Sequence, residues 1–158
     1  MDAVQLIVEN RRALAGSDET ERTMEQAWQA YALAQAIGSR LAVSGPPELR
    51  GEALGLTELA GRGCGVLDVP QPKVSELRAA QLTDLGDARK ALLDLGALLT
   101  EVGMALVALA SAGADEGTYW QCMEAIDAAD ESRDRVREML RRLAAKEGEI
   151  RERDSAAG

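Results

Sequence analysis

The sequence has no histidine and no phenylalanine, and its 158 residues include only two cysteines, two tryptophans and two tyrosines. Without histidine, Ser-His and Cys-His relays and His-ligated metal sites are excluded. Cys64 and Cys122 alone do not make a disulfide framework in a chain this long, so a reducing compartment is expected. Aromatics are 3% and hydrophobics 46%, so the core has to be built from Leu, Val, Ile and Ala. Long uncharged runs are lacking too: Gln26 to Ser39 is 14 residues and the more apolar Val102 to Ala114 is 13, both too short to span a bilayer, and no membrane is expected as a partner. Basic residues are the minority, 18 against 27 acidic, and a net charge of -9 repels phosphate backbones. Nucleic acid is therefore not an expected partner.

What is present is helical periodicity. Leu85, Leu92, Leu99 and Leu106 recur every seven residues, each followed three places later by Ala88, Leu95, Val102 or Leu109. Such spacing predicts a long helix over Thr83 to Ala114 with a continuous buried seam, the central and most buried stave of a bundle. Gly86, Gly96 and Gly103 on it suggest close packing against a neighbour.

Taken in order, the pattern predicts a first helix over about Asp2 to Leu14. A second runs from a cap at Ser17 or Asp18 to about Ala42, with Met24, Ala27, Trp28, Tyr31, Ala34, Ile37 and Leu41 on its stripe. Gly45-Pro46-Pro47 ends it and starts a third, carried by Leu49, Ala53, Leu54, Leu56 and Leu59. The glycines of Gly61 to Gly65, then Pro70 and Pro72, predict a long loop from Gly61 to Val74. After Ser75, one helix or a bent pair leads to Ala114. Gly113 and Gly117 bracket a tight turn, Thr118 is a cap candidate, and a last helix runs from Tyr119 to at least Ala145, antiparallel to the one before. The expectation is an all-α antiparallel bundle of four to five helices with a C-terminal helical hairpin. It forms a single domain over residues 1–146, followed by a charged, frayed tail over 147–158.

Several residue groups are candidates for chemistry. Glu124, Asp127, Glu131 and Asp134 share one helix face, as hard-cation sites require, and Glu124, Asp127 and Glu131 are the metal-ligand candidates. Glu124-Ala125-Ile126-Asp127 resembles the second half of the paired acidic motif of all-helical nucleotide pyrophosphohydrolases. The preceding helix offers only Asp94 and Glu101, so the dense Glu-Glu half is missing. A solvated face with Glu131–Arg135 and Asp134–Arg137 pairs is the stronger reading, the arginines after 132 facing the negative end of the helix dipole. Cys64, beside Arg62, sits where a thiol pKa is lowered, but it has neither a CxxC partner nor a histidine to act as base. Trp28 with Tyr31, and Tyr119 with Trp120, are the candidates to line a ligand pocket, against a plainer role capping core layers. Arg133 interrupts the last seam. With the turn near Asp115-Glu116 it lies opposite residue 98 or 99, which predicts an ion pair with Glu101 or, second, Asp94.

Two stretches, Glu25 to Gly38 continuing to Gly45-Pro-Pro-Glu-Leu-Arg50, and Tyr119 to Glu131, resemble an uncharacterised family of small helical actinomycete proteins. The resemblance implies a bacterial cytoplasmic origin and no activity. The N-terminal Met1 to Val8 opens with an acid and a short apolar run, unlike a signal peptide, which agrees with a cytoplasmic setting. The leading functional expectation is a non-enzymatic interaction module, self-associating or bound to a protein partner, with no cofactor. A helical sensor of apolar small molecules comes second and a Mg²⁺-dependent hydrolase third.

Overall fold

Asp2 opens the first helix in the computed structural model, which describes residues 1–157. Its carboxylate accepts from the Gln5 backbone N–H at 2.9 Å, and the Gln5 side-chain oxygen accepts from the Asp2 N–H at 3.1 Å, a reciprocal capping box. Helix α1 spans Ala3–Ala15, α2 Thr20–Ser44, α3 Arg50–Val66, α4 Ala88–Ser111 and α5 Glu116–Ala157. Short 3-10 turns occupy Pro47–Leu49, Val74–Glu76 and Arg78–Gln81. The architecture is all-α, and no strand occurs among the described residues. Its closest approach to a sheet is one bridge between Asp2 and Asp84, where the Ala3 N–H donates to the Asp84 carbonyl at 3.0 Å.

Helices α4 and α5 form the C-terminal hairpin; α5 also covers α3, α3 packs on α2, and α1 closes the bundle against α2 and α4. Helix α2, not α4, is the most buried stave. It buries eleven residues, from Thr23 to Leu41, where α4 buries seven, from Ala91 to Leu106. The apolar seam of α4 is real, but it faces the bundle on one side only. Over 18 residues α4 nevertheless reaches a mean hydropathy of 1.9 with a third of that window buried, so by length and composition alone it is apolar enough to cross a membrane. The charge-free run of 13 residues understates this, because a spanning window tolerates a charge or two.

The boundaries correct several expectations. Helix α4 starts at Ala88, not Thr83. Gly86 adopts a left-handed φ of +67°, which ends any preceding helical turn, and the Asp87 carboxylate then caps by accepting from the Lys90 N–H at 3.0 Å. Leu85 is left outside, and residues 74–81 form short turns in place of an approach helix. Helix α3 continues through Gly61-Arg62-Gly63-Cys64-Gly65 to Val66, where a loop was expected. Gly63 explains it: a Cβ there would fall 2.5 Å from the Tyr31 ring, so the missing side chain lets α3 lie directly on α2. Close packing outweighs the roughly 1 kcal/mol that a glycine costs a helix. Glu19, not Ser17 or Asp18, precedes α2 and makes no side-chain cap. Asp115 caps α5, accepting from the Thr118 N–H and O–H at 2.8 and 3.1 Å, so Thr118 donates where it was expected to cap. Helix α5 passes Lys146 without a break and runs to Ala157 in place of the expected frayed tail; Glu147 there pairs with Arg89 of α4 at 3.1 Å.

Candidate functional site

The register of the hairpin decides what its outer face carries. A Cβ on Gly96 would sit 3.6 Å from Val136 Cγ1, and one on Gly103 4.0 Å from Ala129 Cβ. Residue 133 is therefore level with residue 99, as the turn position predicts. The expected ion pair is nonetheless not formed. Glu101 lies five residues past Gly96 and Asp94 two before it, so both are turned about 140–160° away from α5 on a helix of about 100° per residue. Glu101 instead receives Arg11 of α1 in a forked pair, with Nη2 at 2.7 Å and Nε at 3.0 Å. Arg133 meets only Asp130, one turn earlier on its own helix, at 3.5 Å, and reaches the outer surface.

That outer surface is apolar along α4. Leu93, Ala97, Thr100, Met104, Val107, Ala108 and Ser111 fall on one side of the helix, and none is charged. Met104 is 67% exposed, Leu93 52% and Val107 50%. Between this stripe and α5 lies a shallow groove in two parts. One, of about 440 Å³, is lined by Thr100, Gly103, Met104, Val107, Ala108, Ile126, Asp130 and Arg133. The other, of about 160 Å³, continues it past Leu93, Ala97 and Leu140. Asp130 and Arg133 are the charges set in the first part, and they are of opposite sign.

The carboxylates on α5 do not converge. Glu124 and Asp127 are exposed, and Glu131 is taken by Arg62 of α3 at 2.7 Å. No group of three or more acidic or cysteine side chains able to hold a metal ion exists among the described residues. The arginines of α5 also differ in role from the dipole reading, because the helix continues several turns beyond them. Arg135 and Arg142 both reach Glu52 on α3, at 3.0 and 3.3 Å, and Arg142 donates to the Glu48 carbonyl at 3.1 Å. They fasten α5 to α3. Of the two expected surface pairs, Asp134–Arg137 forms at 3.7 Å, while Arg135 leaves Glu131 for Glu52. Arg141 and Arg142 hold the Glu138 carboxyl down at about 2, through hydrogen bonds that favour its charged form. Cys64 sits inside α3, its thiol toward the Trp28 carbonyl at 3.7 Å, and burial pushes its pKa up to about 12. The neighbouring arginine does not activate it.

The aromatics separate. Tyr31 is fully buried and its hydroxyl donates to the Ala125 carbonyl, tying α2 to α5. Tyr119 and Trp120 stack edge to face with centroids 5.2 Å apart, and both are exposed at the start of α5. Trp28 lines a sizeable hollow. This is a groove of about 580 Å³ between α2 and the linker after α3, with Arg22, Glu25, Gln26, Gln29, Val69, Pro70, Gln71, Pro72, Lys73, Glu76 and Arg78 around it. Beneath it lies fully buried Asn10, whose amide donates to the Gln26 carbonyl at 3.2 Å. Gln29 accepts from the Arg78 N–H at 3.1 Å and donates to the Glu76 carbonyl at 2.9 Å. Arg78 and Asn10 are functional candidates that sequence reasoning passed over. The available signals were a polar residue at 10 amid Leu6, Ile7 and Leu14, and the one charge in Leu77 to Leu82.

The model of a family of unknown function (DUF6099) matches residues 1–142. The chain belongs to that family. No curated protein and no solved structure matches it. The family match takes in the outer groove of the hairpin and the groove beside Trp28, and it stops before the exposed end of α5.

Proposed function

We propose that this family member is a non-enzymatic interaction module that pairs with a second copy of itself through the outer face of α4 and α5, in the bacterial cytoplasm. The observation that carries the reading is the uncharged stripe from Leu93 to Ser111, with Met104 two-thirds exposed on a chain of net charge -9. Fully burying a side chain such as Met or Val is worth about 1.5–3 kcal/mol, so a stripe of this length is a substantial reserve of association energy. Charge points to a second copy as the occupant. A two-fold axis crossing the hairpin near Thr100 stacks α4 on α4 and α5 on α5 in antiparallel fashion, which brings Arg133 level with Asp130 of the partner. The surface is then complementary to itself, as an isologous contact requires. A lipid surface would strip water from the same two charges and leave them only their own long pair at 3.5 Å, where a second copy adds a partner to each.

Sedimentation equilibrium tests the reading. A monomer–dimer equilibrium is expected, shifted to monomer by Met104→Glu with Val107→Glu while the helical circular dichroism is kept. Arg133→Asp should weaken the dimer, and adding Asp130→Arg should restore it. A strict monomer at high concentration, or an Arg133→Asp effect that the second change does not reverse, would overturn the proposal. So would co-sedimentation of the wild type with lipid vesicles that the two glutamates abolish without changing its mass in solution.

A further inference from the structure

The groove beside Trp28 contains a cation that forms no ion pair among the described residues. The Nη1 of Arg78 donates to Gln26 Oε1 at 2.8 Å and to Asn10 Oδ1 at 3.4 Å, both neutral amides. Among the described residues no carboxylate lies within ion-pair distance of its guanidinium, and its Nε and Nη2 make no hydrogen bond. The side chain is half-buried, and desolvation lowers its pKa, with the negative charge of Glu9 acting the other way. A half-buried guanidinium held by neutral amides has lost part of its water, and its free donors open onto the groove, where an anion can take them.

We infer that this groove is a binding site for a small organic monocarboxylate with a flat apolar body, its carboxylate on Arg78 and its body against Trp28. The free N–H groups of Arg78 offer the planar fork that a carboxylate accepts in two bonds. Trp28, Val69, Pro70 and Pro72 supply an apolar wall beside it, and about 580 Å³ is the size of an ordinary small-ligand site. The rim sets the charge of the ligand. Arg22 and Lys73 stand there with Glu25 and Glu76, so the rim cancels, and Arg78, which feels Glu9 but is not bonded to it, is left without an ion-pair partner. A phosphate dianion would carry one charge more than Arg78 can answer, on a rim that is otherwise balanced, and has no apolar body for the wall beside Trp28. The site is separate from the hairpin face and does not depend on self-association.

The test uses the full chain with Trp120→Phe, so that Trp28 is the sole tryptophan, and phenylacetate, phenylacetamide and inorganic phosphate as probes. Phenylacetate should change the Trp28 fluorescence saturably, with a dissociation constant below about 1 mM. Phenylacetamide, equal in shape but uncharged, should bind at least about tenfold more weakly, and phosphate should not displace phenylacetate. In Arg78→Gln the affinity for phenylacetate should fall about tenfold or more, with partial recovery in Arg78→Lys. Equal binding of acid and amide, displacement by phosphate, or unchanged affinity in Arg78→Gln would each overturn the inference. If Arg78→Gln fails to fold, the contrast between acid and amide on the wild-type groove still decides it.

Discussion

Helices α2 and α4 are nearly equal in length, and they use apolar residues in opposite ways. Helix α2 mixes charged, polar and small residues, yet it is enclosed so widely that Thr23, Gln29 and Gly38 are buried along with Ile37 and Leu41. Helix α4 is far more apolar, with charges only at Arg89, Lys90, Asp94 and Glu101, yet it leaves Leu93, Met104 and Val107 in solvent. Burial follows a helix's place in the bundle, not its hydropathy. Helix α2 touches α1, α3, α4 and the short turn at Arg78–Gln81, which together enclose most of it; α4 touches α1, α2 and α5 on its inner side and leaves its outer side uncovered. The apolar surface on α4 is more than the fold uses, which is why it bears on function.

The sharpest way to break this comparison is to cut the same kind of side chain from each helix. Ile37→Ala should cost about 2–5 kcal/mol of unfolding free energy, because it opens a cavity in a full core. Met104→Ala should stay within about 0.5 kcal/mol at concentrations where the chain is monomeric. Urea denaturation measures both, and similar losses would mean that the outer face of α4 is covered within the monomer.

Glycines sharpen the contrast. A Cβ on Gly63 would drive into the buried Tyr31 ring, so Gly63→Ala should destabilise by about 1–3 kcal/mol. On α4, Gly96→Ala has room at ordinary contact distance from Val136 and should stabilise by about 0.5–1 kcal/mol. Thermal melts of the two variants should move in opposite directions. A gain for both would refute the account of how α3 lies on α2.

The smallest effect concerns the α5 surface. The pKa of Glu138 is depressed in the fold, so its contribution is full above the ordinary carboxylate range and is lost as pH falls through about 2. The difference in melting temperature between wild type and Glu138→Gln should be greatest near neutral pH and vanish toward pH 2. It should also shrink in salt, since the pair is exposed. A difference constant from pH 6 to pH 2 would place the effect of Glu138 in packing and not in charge.

Periodicity alone was enough for an all-α bundle of four to five helices, for the antiparallel hairpin and for its register to within a residue, since Arg133 does stand level with residue 99. Those features depend on rise and angle per residue, which are the same in every helix and are therefore written locally. The side on which Arg133 finds a partner was not local. Glu101 is at the right height, but α1 lies where Glu101 points, and Arg11 takes it. Helix α3 could not be followed through Gly61 to Gly65 because propensity counts the cost of each glycine and not the ring of Tyr31 that rewards one of them. The same holds for Trp28 and Tyr31, three residues apart on one stripe. One borders a groove and the other vanishes into the core, because α3 and the linker after it cover α2 unequally. Arg78 came to rest on neutral amides, without an ion pair, only when that linker folded back onto Asn10 and Gln26, residues far from it in the chain. A sequence carries the geometry of each helix in its own spacing, whereas the surroundings of a side chain are made by other segments and exist only once those segments have met.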